Sequence, residues 1–500
     1  MKRSDQPKTF TAALAITGVS LMLGILFDVM FWHQMPGLSF PLYVAAVMGG
    51  FFVLRAALRQ PVAKAVLWLL VPLAFFSIMV AVHTSDLLTL LNLGATVALM
   101  LLIAAVSFGP KLTSYGVGQY LRVPLLVLKF SPPLGKTLAE LVALPRAAKN
   151  QPTTVQVLKG IALTVPFLVI FVLLFSSADL VVHRYLTSLF NFSITPQTLV
   201  RVVLVGIATL GLIGAYSYTL IRSGKTEEAP APAPKSRVLG PIESSILFGS
   251  LNVLFFAFIV IQFAYLFGGQ HNISAQGFTY AEYARKGFFE LIAVALLTFG
   301  LAWAGDQFVA KGKAGHTRAF RLLSGALVLQ VILIMASAFK RLYLYEQAYG
   351  FTTLRLYSHA FTVLLAVIFL ILLYKILKDA SEPIFALPAF IAVIAFVVAM
   401  NLLSPDAFIA RANLDRFHST GKIDSAYLAR LSDDALPQLI AAFEATSRDD
   451  KQTLGEELYR RSEVEAPAPH WQSWNSSRDQ ARNLLQDKAA ELKPYGLPQP

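Results

Sequence analysis

Long apolar stretches recur along the first 400 positions of the chain and stop near Ser404. A helix needs about 20 apolar residues to cross about 30 Å of hydrocarbon, so each stretch predicts a membrane span. Eleven such stretches occur, approximately at 10–31, 40–53, 65–82, 87–108, 157–176, 199–221, 246–267, 287–304, 322–338, 360–374 and 384–402. The second is short, which leaves ten as the alternative count. We predict an all-α polytopic membrane helix bundle of about eleven spans with a small C-terminal helical extramembrane domain.

The connections between these stretches divide the chain into four parts. Residues 1–223 form an N-terminal membrane region of about six spans, and residues 242–403 form a C-terminal region of about five. Between them, residues 224–241 are rich in Ala and Pro, which favours an extended linker. Residues 404–500 are predicted to form a tail of short extramembrane helices, with starts at Ser432 and at a capping box of Ser477 and Gln480.

The connection at 109–156 is longer than a turn and mixes apolar segments with Lys and Arg. Basic side chains can keep their charge among the lipid head groups while their stems lie on apolar surface. We expect interfacial helices on the inner membrane face here. Ordinary helices packed on the bundle are an equally good interpretation.

Composition and charge agree with a membrane protein. Apolar residues make up 56% of the chain and charged residues only 14%, against roughly 25% in soluble domains. The net charge is +13, but the excess lies in short loops beside the apolar stretches, so no nucleic-acid partner is needed to explain it. With the N-terminus inside, the inner loops hold 22 Lys and Arg and the outer loops hold 6. This bias predicts a cytoplasmic N-terminus in the cell inner membrane and, after eleven crossings, an extracytoplasmic C-terminus.

The familiar sequence signatures of catalysis are absent. The chain has no Cys, no Walker motif, no Gly-x-Ser-x-Gly and no His-Glu-x-x-His. We therefore predict no cofactor and no metal site, and the balance leans against an enzyme.

A first group of candidate site residues precedes the eighth span, within 277–290. If this segment is helical, Glu282 faces Arg285 and Lys286, and Glu290 lies one turn beyond Lys286. Glu290 falls just inside an apolar stretch, where an ionisable group usually faces a partner or a cavity. The alternatives are a binding or proton-handling role and a structural ion pair that fixes an interfacial helix.

A second group lies in the segment 340–355. Gly350 is expected to end one helix, with Thr352 or Thr353 capping the next. Tyrosines in this segment suit the membrane interface, and its charged residues could line a polar pocket together with Glu290. An aromatic girdle on a helix–turn–helix is the simpler alternative. The candidates are Arg341, Tyr345, Glu346, Tyr349 and Arg355.

These segments also carry a family resemblance. Tyr345-x-x-x-Tyr349-Gly-Phe-Thr-x-x-Arg355 resembles a signature of the bacterial multi-pass membrane families numbered 4153 and 4173 among domains of unknown function. The segment 277–291 looks like their second hallmark. Asn413-Leu-Asp-Arg416 and the segment 423–437 resemble the region after their last span. Phe351 departs mildly from the Leu expected there. The resemblance implies a bacterial inner-membrane protein and brings no substrate, cofactor or catalytic residue.

Three functions stay open at this point. The leading hypothesis is a non-enzymatic binding, interaction or sensing protein that is surrounded by membrane lipid and engages a protein partner through its tail. A transporter or channel would use a polar site around Glu290, Arg341 and Arg355. A membrane-embedded enzyme acting on a lipid-linked substrate would need an outer acid, for which Asp28, Asp86 and Glu282 are candidates.

Overall fold

The structure is a computed structural model, and it describes residues 6–107, 111–142, 196–220, 240–267, 288–308, 314–465 and 470–496. All regular elements in these ranges are helices. Those of the membrane region are α1 Gln6–Phe31, α2 Ser39–Ala57, α3 Lys64–Met79, α4 Asp86–Val106, α5 Val117–Leu121, α6 Ser131–Val142, α7 Pro196–Leu220, α8 Pro241–Phe267, α9 Phe288–Phe308, α10 Ala314–Tyr349, α11 Thr353–Lys378 and α12 Glu382–Leu403. Those of the tail are α13 Pro405–Thr420, α14 Ser425–Leu428, α15 Leu436–Ala445, α16 Arg448–Glu465, α17 Ser476–Asp487 and α18 Ala489–Leu492.

The polytopic all-α architecture predicted from the apolar stretches is confirmed. Within the described ranges, nine helices are long and apolar enough to cross a membrane, and α3 is an apolar helix of 16 residues. The stretch at 157–176, predicted as the fifth span, lies outside the described residues. The exact count of eleven therefore stays a prediction.

The N-terminal membrane helices α1–α4 and α7 share one apolar core, in which Phe51, Phe76 and Leu102 are almost fully buried. Arg55 lies at one end of this core and is only 1% exposed. Its guanidinium donates to the carbonyl of Pro61 at 2.5 Å and to that of Ser107 at 3.1 Å. The buried arginine thus ties the end of α2 to the end of α4, and we call this side of the bundle the Arg55 end.

The second group of membrane helices, α8–α12, packs around residues such as Val328 and Phe369. Lys375 pairs with Asp306 and joins α11 to α9. The two groups meet where α4 contacts α12. There the buried amides of Asn92 and Asn401 exchange two hydrogen bonds of 2.8 Å each.

The connection after α4 folds into short helices at the Arg55 end. The backbone N–H of Val117 donates to the Glu382 carboxylate at 3.1 Å, and the ring of Tyr120 stacks on Phe390. Further along, the Thr137 and Ser217 hydroxyls lie 2.7 Å apart, which holds α6 against α7. This part of the chain is packed on the membrane helices by specific contacts.

The tail packs at the opposite end of the bundle. Its core contains Leu436, Leu439 and Leu458, and it also includes Leu356 of α11 with Phe351 packed against it. The tail and the membrane helix α11 therefore share one apolar core.

The two helix starts predicted in the tail have different outcomes, because a helical turn does begin after Ser432 and continues into α15. Ser432 precedes a 3₁₀ turn at Asp433–Ala435 but makes no capping hydrogen bond with its side chain. The predicted capping box at Ser477 is wrong, because α17 begins at Ser476 and the side chain of Asn475 accepts from the backbone N–H of Arg478 at 3.3 Å. Asn is as good a cap as Ser, so composition alone does not decide between adjacent positions.

A cleft between the tail and the membrane helices

The tail is attached to the loops that join α1 to α2 and α3 to α4. The side-chain amide of Asn475 donates to the carbonyls of Val80 at 3.1 Å and His83 at 3.0 Å. The backbone N–H of Ser476 donates to the carbonyl of Ala81 at 2.8 Å. These bonds satisfy carbonyls left open at the end of α3, so the membrane helices and the tail complete each other's hydrogen bonding.

Asp434 provides a charged anchor at the same place. It is 9% exposed, and its Oδ1 accepts from the backbone N–H and the hydroxyl of Thr84 at 2.9 and 3.0 Å. Its Oδ2 lies 3.3 Å from Nδ1 of His83. Burial raises the pKa of Asp434, but the His83 imidazole, the Ser477 hydroxyl and the Thr84 backbone together hold that pKa below its usual value. The carboxylate is therefore ionised at neutral pH.

Beside this anchor, a cleft of about 460 Å³ opens between the tail and the ends of the membrane helices. Its floor is formed by the first residues of α4 and α11, and its walls belong to α13, α16, α17 and the segment that follows α14. Arginines and aspartates dominate the charged lining, and a few apolar residues accompany them. The lining consists of Thr84, Ser85, Asp86, Leu87, Thr353, Asp406, Arg430, Leu431, Ser432, Asp433, Arg460, Arg461, Val464 and Arg478.

The arginines of the cleft differ in what they already bind. The guanidinium of Arg461 donates to Glu457, to Asp433 and to the carbonyls of two residues of the tail, so its donors are taken by the protein. Arg460 binds the Glu457 carboxylate with Nε and one terminal nitrogen. Arg430 is exposed, and its guanidinium makes no bond within the part of the chain that the structure describes. Arg430 is thus the cation best placed to receive a ligand.

The cleft also contains buried polar atoms without protein partners. Asp406 is 5% exposed, and its Oδ2 accepts from the backbone N–H of Ser432 at 3.1 Å. Its Oδ1 and the hydroxyl of Ser432 are buried without hydrogen bonds in the described part of the molecule. Buried polar groups are nearly always satisfied in folded proteins, so these two atoms indicate a place where a ligand or water binds.

The first group of sequence candidates is described only in part. Glu282, Arg285 and Lys286 lie outside the described residues. Glu290 lies in the first turn of α9 with an exposed side chain, and it makes no ion pair with any described residue. A pairing of Glu290 with Lys286 therefore stays a prediction.

The second group forms the hairpin between α10 and α11. Arg355 donates to the carbonyl of Gly350 at 2.5 Å, and its guanidinium lies 4.2 Å from the ring centre of Tyr345. The ring of Tyr349 lies 5.0 Å from that of Tyr345 and is largely exposed. Arg355 thus closes the turn by a hydrogen bond and a cation–π contact.

Glu346 has a different partner. It is 2% exposed, and its Oε1 lies 3.0 Å from Nδ1 of His359 on α11. Nε2 of the same ring lies 3.1 Å from the carbonyl of Phe339, which requires a proton on Nε2. Arg341 is buried on α10, five residues before Glu346. In the described part of the chain, Glu290 and Arg355 are not joined to Glu346 in one ion-pair network.

Two of the segments that carry the family resemblance contact each other in the structure. Gly350 has φ of +80°, and the turn that follows it is held by Asn413. The Asn413 amide donates to the carbonyl of Phe351 and accepts from its N–H, both at 2.9 Å. Arg416 donates to the carbonyl of Ala348 at 2.7 Å and so caps the end of α10. The segments 345–355 and 413–416 therefore form one structural unit that fixes the tail on the hairpin.

Sequence reasoning found only part of the cleft lining. Asp86 is a sequence candidate for an outer acid and lines the cleft, whereas Arg430, Asp406 and Arg460 carry no local signal that marks them. Thr84 and Asp434 are 350 positions apart, so no local spacing could have connected them. The one available signal was that the segment after the last span resembles a family motif.

The fold and the cleft define a class of protein: a polytopic helical membrane protein whose C-terminal helical domain is docked on one end of the bundle. A family model described as a domain of unknown function, DUF4153, matches residues 70–442. The chain belongs to this family. The match extends from α3 into α15 and includes the docked tail as far as Asp434 and beyond. No curated protein and no solved structure matches the chain. The resemblance to the family numbered 4173 stays a prediction.

Proposed function

We propose that this protein is a membrane-anchored binding protein that holds a phosphate-bearing ligand in the cleft between its tail and its membrane helices. The observation that carries the proposal is the exposed, unpaired guanidinium of Arg430 in a cleft that also presents Arg460 and Arg478. Guanidinium groups bind phosphate through paired, charge-assisted hydrogen bonds. The remaining lining supplies hydroxyl groups and aspartates that fix the orientation of such a ligand.

The proposal also assigns the cleft to one side of the membrane. The tail lies at the end opposite to Arg55, and the loops at the Arg55 end carry most of the basic residues between spans. By the positive-inside rule, the Arg55 end faces the cytoplasm of a bacterial inner-membrane protein, and the cleft faces outward. A binding role fits this side, where the ligand would come from the outer leaflet or from outside the cell.

The transport alternative loses its specific support. A transport site around Glu290, Arg341 and Arg355 depends on a shared polar pocket. Glu290 makes no ion pair with the described residues, and Arg355 is engaged by Gly350 and Tyr345.

The enzyme alternative keeps one of its candidate acids. Nε and one terminal nitrogen of Arg201 donate to the carboxylate of Asp28 at 3.0 and 2.5 Å, whereas Asp86 lines the cleft. A protein partner of the tail stays compatible with the proposal.

The test is binding of glycerol phosphate to the full-length protein purified in detergent, followed by ³¹P line broadening. We expect saturable binding by the wild type and at least a tenfold loss of affinity in Arg430→Gln, since a hydrogen bond to a charged group is worth about 1.5–3 kcal/mol. Arg411→Gln is the matched control, because Arg411 is an exposed arginine of α13 that does not line the cleft. Equal affinity in the wild type and Arg430→Gln would contradict the proposal.

A further inference from the structure

We infer that the ligand of the cleft is a phospholipid, with its phosphate at Arg430 and Arg460 and one acyl chain along α4. The inference rests on the proposed phosphate-binding function and names the ligand class. It is carried by three observations: the depth of the cleft, an apolar stripe that leaves it, and the mixed charge of its lining.

The cleft lies at the level where the membrane helices begin. Ser85 and Asp86 stand at the start of α4, and Thr353 is the first residue of α11. Both helices are apolar enough to span a membrane from these residues onward. A phosphate bound above these helix starts is therefore at the height of the lipid head groups, and hydrocarbon begins directly below it.

An exposed apolar stripe leads from the cleft down α4. Leu87 lines the cleft and is 41% exposed, and Leu90 and Val97 are 65% and 52% exposed. With Gly94 they recur at spacings of three and four residues, so they share one helix face. No atom lies within 4 Å of the position that a Cβ of Gly94 would occupy, so the stripe has a shallow notch at its middle. The stripe offers an acyl chain a continuous path that starts at the polar cleft.

The charged lining fits a lipid head group better than a simple anion. Asp86 and Asp406 line the same cleft as the arginines, so the cleft offers hydrogen-bond acceptors beside its cations. The unpartnered Oδ1 of Asp406 accepts a hydrogen bond from a hydroxyl or an ammonium group. Phospholipid head groups such as glycerol or ethanolamine supply that donor next to a phosphate.

The experiment compares three probes on the full-length protein in detergent: glycerol phosphate, dihexanoyl phosphatidylglycerol and dihexanoyl phosphatidylethanolamine. We expect the short-chain lipids to bind at least tenfold more tightly than glycerol phosphate, because their acyl chains leave water for the apolar stripe. Gly94→Trp fills the notch, so it should reduce lipid affinity at least fivefold and leave glycerol phosphate binding unchanged. Gly49→Trp is the matched control, since Gly49 is also exposed with open space around its Cβ position, but on α2.

The outcomes separate this inference from the proposed function. Equal affinities for glycerol phosphate and both lipids, or equal effects of Gly94→Trp and Gly49→Trp, would overturn the lipid assignment while phosphate binding at Arg430 stands. If Arg430→Gln binds all three probes as tightly as the wild type does, both the lipid assignment and the proposed phosphate-binding function are overturned. If the wild type prefers one of the two lipids and Asp406→Asn does not, the lipid assignment is supported. The preferred lipid then identifies the head group that hydrogen-bonds to Asp406.

Discussion

At the scale of single residues, Gly350 is the position where backbone and side-chain constraints meet. Its φ of +80° is unfavourable for residues with a Cβ. A Cβ placed there would lie 2.4 Å from Oδ1 of Asn413, the atom that accepts from the N–H of Phe351. A side chain at 350 would therefore strain the turn and displace the residue that fixes it.

We predict that Gly350→Ala lowers the free energy of unfolding by about 2–4 kcal/mol. About 1–2 kcal/mol comes from placing a residue with a Cβ in the left-handed backbone region. The rest comes from the loss of well-formed hydrogen bonds to Asn413. Thermal unfolding in detergent measures the effect. Gly421→Ala is the control, because Gly421 also has a positive φ of +67° but nothing lies within 4 Å of its Cβ position. If the two substitutions cost the same, the contact with Asn413 is not what makes Gly350 necessary.

The same residue shows how far local sequence reasoning reaches. The prediction that Gly350 ends a helix is confirmed, and of the two caps predicted for the next helix, Thr352 and Thr353, the structure has Thr352, because capping depends on residues within one turn. That Asn413 holds the turn could not be predicted, since it lies 62 positions further along the chain. The pair of His359 and Glu346 is a similar case, because its two residues approach only after the hairpin has folded.

At the scale of helices, the apolar stretches predicted the spans well but not their ends. The ninth span was predicted at 322–338, whereas α10 extends over 36 residues from Ala314 to Tyr349. Its flanks at 314–321 and 339–349 contain polar residues and are helical as well. Hydropathy reports the apolar part of a helix and carries no information on where hydrogen bonding stops.

The contact between α4 and α12 gives a prediction at this scale. Asn92 and Asn401 are buried at 0% and 3% exposure and satisfy each other by two hydrogen bonds. Asn92→Leu would leave the side-chain oxygen Oδ1 of Asn401 without its donor. We expect this to lower the free energy of unfolding by about 1–2 kcal/mol. The double variant Asn92→Leu with Asn401→Leu should recover most of this loss, because no unsatisfied amide remains.

Thermal unfolding of both single variants and the double variant measures the coupling between the two helices. Thr96→Val serves as the control, since among the described residues the Thr96 hydroxyl donates to the carbonyl of Asn92, within α4 itself. Additive losses in the double variant would show that the amide pair does not join the two groups of membrane helices.

At the scale of the whole molecule, the tail is docked on the membrane helices through a shared apolar core and hydrogen bonds. Leu356 of α11 is 7% exposed within the tail core, and Asn475 completes the end of α3. The sequence predicted a separate helical tail, because composition changes sharply at Ser404. It could not predict the docking, which depends on contacts between loops and tail that are hundreds of residues apart. The cleft exists only because of this docking, so no local pattern could show that its lining residues come together.

The charge of Asp434 makes this docking dependent on pH. The folded-state pKa of Asp434 lies below the value of 3.8 expected for the unfolded chain, because the His83 imidazole, the Ser477 hydroxyl and the Thr84 backbone outweigh the effect of burial. A carboxyl whose pKa is lower in the folded state binds more protons when unfolded. Its stabilising contribution is therefore complete above about pH 4 and is lost as the pH falls through the folded-state pKa.

We predict that acidification below about pH 4 releases the tail from the α3–α4 loop, and that Asp434→Asn already weakens the docking at pH 7 and removes this acid step. The measurement is the rate of limited proteolysis in the tail between pH 7 and pH 3, with an acid-active protease and the full-length protein in detergent. Asp487→Asn is the control, because Asp487 is an exposed carboxylate at the end of α17. An acid step that is the same in Asp434→Asn and in the wild type would show that another titrating group, and not Asp434, makes the docking depend on pH. If instead neither protein shows an acid step, the neutral hydrogen bonds of Asn475 hold the tail, and the cleft keeps its shape in acid because no charge is needed to close it.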